Sequence, residues 1–109
     1  MSKTIQMLGQ DITVQFSKPD DWCQEDMGRS CVISSRILLR EGMPNSVQCA
    51  TFLHELMHQI LAITALDDHN TEILVSTVAA GLLDFLRNNV DVAACLANVE
   101  SLEDLVTKR

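Results

Sequence analysis

Two histidines stand four residues apart in the segment HELMH: His54 and His58, with Glu55 next to the first. A helix has about 3.6 residues per turn, so this interval puts both imidazoles on one face, one turn apart. Two ring nitrogens so placed can reach one metal ion at about 2.0–2.1 Å. Glu55 is offset by about 100° around the axis, so it can stand beside the ion without ligating it. There its carboxylate can take a proton from a metal-activated water, the chemistry of an HExxH helix. With three histidines in the chain, shuffling yields this arrangement on the order of a few times per thousand. Two unrelated surface histidines are the weaker explanation.

Imidazole and carboxylate ligands favour zinc, and a zinc ion that does chemistry takes three protein ligands plus water. Beyond His58 the acids and histidines in reach are Asp67, Asp68, His69, Glu72 and Asp84. Glu72 is favoured. It falls at the start of a second helical pattern and is followed by Ile73, Leu74 and Val75, so a compensating partner for its carboxylate is expected. A helix-start acid favoured by the dipole is the plainer alternative. His69 is the second candidate ligand. It is also a candidate donor to a developing oxyanion, because the chain has no Tyr to fill that role; an exposed loop histidine is the simpler reading. Asp84 lies more than three turns beyond Glu72 and suits a hydrogen bond to a ligand imidazole or plain solvation. Asp67 and Asp68 read as turn residues.

These side chains need elements to hold them. Val47, Ala50, Leu53, Met57, Ile60 and Leu61 recur at helical spacing, and Asn45 or Ser46 offers an N-cap. This predicts a helix over 45–66. A second helix is predicted over 70–89, with Asn70 or Thr71 as its cap and Val75, Val78, Ala79, Leu82 and Leu86 on its pattern. Residues 90–109 form a tail, read as one or two short helices. Upstream, Ile5 and Met7, then Ile12, Val14 and Phe16, alternate with polar residues about Gly9 and Gln10, the pattern of a β-hairpin. Residues 18–29 are polar and read as a loop, with Trp22 available to plug it. Residues 31–39 read as a third strand, and residues 41–45 as a turn. The fold class expected is α+β: a short antiparallel or mixed N-terminal sheet of about three strands, within 1–40, packed on the HExxH helix and the second helix. A chain of 109 residues forms one such domain.

Composition narrows the function classes. Hydrophobic residues make up 47% of the chain, enough for a core and against disorder. The net charge of −7, with eight scattered Lys and Arg, argues against a nucleic-acid surface, which needs clustered cations. No run reaches the ~18 apolar residues of a membrane span, and the first residues lack a signal-peptide core. A cytoplasmic protein without membrane contact is expected. Its four cysteines are expected to stay reduced, and no CxxC pair suggests a thiolate metal site.

HELMH, preceded by the strand and turn of MGRSCVISSRILLREGMPNSVQCATFL, resembles the zincin metallopeptidases, most closely the small single-domain zincins of phages and prophages. The likeness runs from about Ile5 to Asn89. Gly28 matches the glycine before the strand that leads to the active helix, and Glu72, in TEILVSTVAAGLLDFLRNN, falls where the family's third ligand is expected. The resemblance implies a minimal zincin-like fold, zinc on His54, His58 and Glu72, Glu55 as general base, a peptide or protein substrate, and a bacterial or phage-infected cytosol. Two other classes compete: a zinc-stabilised protein-binding module of weak or no activity, and a metal-free acidic interaction protein. Metal content and peptide turnover separate the three.

Overall fold

A computed structural model describes residues 2–18, 27–31, 34–64 and 71–107, with the side chains of α2 from residue 73 onward. The fold is α+β. Strands β1 (Ser2–Met7), β2 (Gln10–Ser17), β3 (Gly28–Cys31) and β4 (Arg36–Arg40) precede helices α1 (Asn45–Ile63), α2 (Thr71–Asn88), α3 (Val90–Ala97) and α4 (Leu102–Thr107). The strands form one mixed sheet in the order β1-β2-β4-β3. β1 and β2 pair antiparallel, β2 and β4 parallel, β4 and β3 antiparallel.

The hairpin follows from its alternation. Ile5, Met7, Ile12 and Val14 point to one face and are buried, while their neighbours point away. Its two-residue turn is Leu8–Gly9, both with positive φ (53° and 77°), and Gln10 belongs to β2 rather than to the turn. A turn with two left-handed residues matches the twist of the strands. Leu8 is an unusual residue there, and its N–H donates to Asp84 Oδ2 at 2.5 Å. The α2 helix thus fastens the turn.

The strand predicted over 31–39 is realised only from Arg36, as β4, and the additional strand β3 takes Gly28 and Arg29 out of the stretch read as a loop over 18–29. Ser34 and Ser35 turn the chain, Ser35 with φ 51°, so β3 folds back on β4 with Gly28 opposite Leu39. A serine turn of this kind is silent in hydrophobic patterning, which sees only a β-branched and aliphatic run. The sheet accordingly has four strands instead of three. The Ser35 carbonyl also accepts a hydrogen bond from the Thr13 N–H, next to the first pair of the parallel β2–β4 register.

The buried sheet face meets Phe52, Leu56 and Ile60 of α1, Phe85 of α2, Val92 and Cys95 of α3, and Leu102 and Val106 of α4. Helices therefore cover one side of the sheet. Gly81 lets α2 approach α1 closely, since a Cβ there would lie 2.9 Å from Ile60 side-chain carbons. Phe52 and Phe85 meet across the same junction at 5.7 Å between ring centroids. Asn89 ends α2 by bonding Gln6 of β1 through both its amide and carbonyl groups, with a further bond to the Phe85 carbonyl. Among the described residues, no single helix is long and apolar enough to cross a membrane.

Helix α1 begins at Asn45 with Pro44 as its cap and no side-chain capping bond, so neither Asn45 nor Ser46 plays the predicted capping role. Gln48 acts instead. Its side chain is buried, donates to the Met43 carbonyl and accepts the Glu103 N–H, tying the start of α1 to α4. The helix ends at Ile63, short of residue 66, with Thr64 turned back onto the Ile60 carbonyl.

Candidate metal centre

Helix α1 carries His54, Glu55 and His58. The hydrophobic period sends Phe52, Leu56 and Ile60 into the core and leaves the histidines on the outer face, both exposed. Their rings are 5.0 Å apart by centroid and 71° apart in plane. Their Nε2 atoms are closer, at 3.3 Å. The rings thus lean together with their Nε2 tips converging. Two nitrogens bound at about 2.0–2.1 Å to one tetrahedral zinc stand roughly 3.3–3.4 Å apart; the pair has that separation, which is also the length of a hydrogen bond between the two rings in a metal-free state. Such binding needs both Nε2 lone pairs, which places the imidazole protons on Nδ1.

Glu55, about 100° around the helix from His54, lies on the flank of α1 that meets β3. It is 7% exposed, and among the described residues its carboxylate has no hydrogen-bond or ion-pair partner. The strand beside it is β3. Gly28 approaches so closely that a Cβ there would lie 2.7 Å from Thr51 Cγ2, 3.2 Å from Glu55 Cγ and 3.3 Å from Leu39 Cδ2. Gln59, also buried, holds β3 and β4 to the same helix by donating to Ser30 Oγ at 2.7 Å and to the Arg36 carbonyl. Sequence reasoning passed over Gln59. Its signal was a polar residue on the apolar stripe of Phe52, Leu56 and Ile60.

Among the described residues, no third His, Cys, Asp or Glu joins the histidine pair. Glu72 lies in the first turn of α2, and its side chain is outside the described atoms. His69, Asp67 and Asp68 lie outside the described residues, as do Trp22 and Cys23. Asp84 takes neither role expected of it: it is partly buried and its carboxylate holds the Leu8 N–H at the hairpin. Cys31, Cys49 and Cys95 carry free thiols. Burial pushes the Cys49 and Cys95 thiols above their ordinary pKa.

On the side of α1 away from β3, an apolar groove of about 500 Å³ runs between Met57 of α1 and Leu74, Val75, Val78, Ala79 and Leu82 of α2. The histidine pair therefore sits on a ridge with the sheet's last strand on one flank and an apolar groove on the other. No family model, curated protein or solved structure matches the chain.

Proposed function

We propose that the chain is a zinc metallopeptidase-like protein of minimal zincin-like fold, hydrolysing a peptide bond with Glu55 as general base. The observation that carries this reading is the convergence of His54 Nε2 and His58 Nε2 at the spacing of two zinc ligands, with a buried acid one residue from the first. Glu72 is proposed as the third ligand, since it opens the helix that packs against α1. His69 is the alternative ligand or an oxyanion donor.

Zinc, when bound, supplies Lewis acidity, lowering the pKa of a water to about 7 and polarising a carbonyl. Glu55 takes the proton of the attacking water and hands it to the leaving amine nitrogen. A buried carboxylate without a partner among the described residues is unfavourable by itself; a water held at its oxygens would offset that. Gly28 keeps the backbone of β3 against Glu55 and so limits where that carboxylate can move. A peptide adding to β3 through main-chain hydrogen bonds would run past Glu55 in an extended form, which points to peptides rather than compact substrates.

The test combines metal analysis with turnover of a peptide library. Wild type is expected to bind one zinc per chain, His54→Ala and His58→Ala to lose it, and Glu55→Gln to keep zinc while losing hydrolysis. Equal turnover by wild type and Glu55→Gln overturns the general-base role. Absence of zinc from the purified and zinc-supplemented protein overturns the whole reading.

A further inference from the structure

Among the described residues, the outer face of α2 is left largely uncovered. Val75 is 60% exposed, Leu83 57% and Leu86 48%; the face continues onto Leu53 and Met57 of α1 and Val90 of α3. Together these side chains present on the order of 600 Å² of apolar surface, the upper end for a monomer and close to the ~800 Å² that each partner contributes to a standard interface. Charge is sparse here. Between positions 73 and 97, Asp84 is turned to the Leu8 N–H and Asp91 to Lys3, which leaves Arg87.

The pattern of this face is specific. Val75, Ala79, Leu82 and Leu86 follow one another at intervals of four, three and four residues, the seam spacing of packed helices. That series reads the same from either end. A second α2 laid antiparallel across a two-fold axis therefore sets Val75 of one copy against Leu86 of the other, and Ala79 against Leu82. Small meets large at both levels, which is what a self-complementary, isologous contact needs. Grooves of about 500 and 330 Å³ follow one another along the seam, lined by Val75, Ala79 and Leu82 and by Leu82 and Leu86, so each copy offers hollows beside the exposed Leu83.

We propose that α2 is the contact helix of an antiparallel homodimer, with Val75, Ala79, Leu82 and Leu86 at its centre. A basic partner attracted by the net charge of −7 would seek the acidic surface elsewhere, whereas a nearly uncharged face suits a copy of itself. Repulsion between two acidic copies is screened by salt, so association strengthens as salt rises. The inference does not depend on the metal site.

Sedimentation velocity on the full chain from 1 to 200 µM or so, at low and moderate salt, tests it. A species of twice 12.1 kDa is expected, with dissociation weakened on raising salt. Val75→Glu and Leu86→Lys, both at exposed positions, are each expected to weaken the dimer at least about tenfold with an unchanged far-UV spectrum. Combining the two places opposite charges face to face across the antiparallel seam and is expected to restore it. A wild type that stays monomeric throughout the range overturns the proposal, and so does a dimer indifferent to both single changes. Failure of the double variant to recover overturns the antiparallel register. Monomeric wild type that captures an apolar helical peptide assigns the face to a different partner.

Discussion

Gly28 on β3 and Glu55 on α1 are so close that a single added methyl group would press on the acid: a Cβ at Gly28 would stand 3.2 Å from Glu55 Cγ and 2.7 Å from Thr51 Cγ2. Thr51 is β-branched and stiff at χ1, so it has little room to give. Gly28→Ala is therefore expected to push β3 off α1. The loss of stability should be about 1–3 kcal/mol, as for overpacking. Turnover should fall by more than the unfolded fraction explains, because the acid itself is displaced. A thermal melt beside a turnover measurement at a temperature where the variant is folded checks both; an unshifted melting temperature would refute the close approach.

The third ligand is open to a direct comparison. Glu72→Ala is expected to lower zinc affinity by about 10–1000-fold without abolishing it, because the two imidazoles remain, and His69→Ala to leave it nearly unchanged. Competition against a chromogenic chelator measures both. The reverse order would exchange the roles of the two residues.

Gln59 is a buried amide whose Nε2 bonds Ser30 Oγ at 2.7 Å and the Arg36 carbonyl at 3.2 Å. Gln59→Leu keeps the volume but leaves those acceptors without their donor. The expected loss is about 1–3 kcal/mol, with proteolysis in the β3–β4 region appearing before global unfolding. Denaturant melts and limited proteolysis report the two. A variant as stable and as resistant as wild type would mean that water replaces the amide.

Stability should depend on pH at both ends of the scale. The Asp91 carboxyl lies below its ordinary value, first because Lys3 bonds it, at 2.7 Å. A depressed acid contributes stability above its unfolded pKa and loses it as pH falls through the folded one. Asp91→Asn should therefore flatten the acid limb of the stability curve, modestly, because the pair is exposed. The Cys49 and Cys95 thiols are raised by burial, and the Cys49 thiol adds to the shift at Cys95. Their contribution is complete below the unfolded thiol pKa and is lost as pH rises through the folded values. Cys49→Ala with Cys95→Ala should shrink the alkaline loss of stability. Melts from acid to alkaline pH, run on all variants, test both limbs.

Much of the architecture was legible in the chain. Alternation marked the hairpin because one face of each strand is buried, and the helical period marked α1 and α2 because each sends one stripe inward. The HELMH spacing foretold that His54 and His58 would share a face, since that follows from helix pitch alone. The β3–β4 turn was not legible: Ser34 and Ser35 resemble their neighbours in pattern, and only pairing reveals that the chain reverses there.

The sequence by itself determined the local terms, namely which residues face inward, where two imidazoles meet one turn apart, and that an acid stands next to the first of them. These depend on periodicity and on neighbours a few residues away. Tertiary structure alone decided that Glu55 is buried against Gly28, that Asp84 serves the hairpin turn, and that Gln59 binds β3 to α1. Each of these joins residues 27 or more positions apart in the chain, where no local period reaches, and close packing between sheet and helices selects the partner.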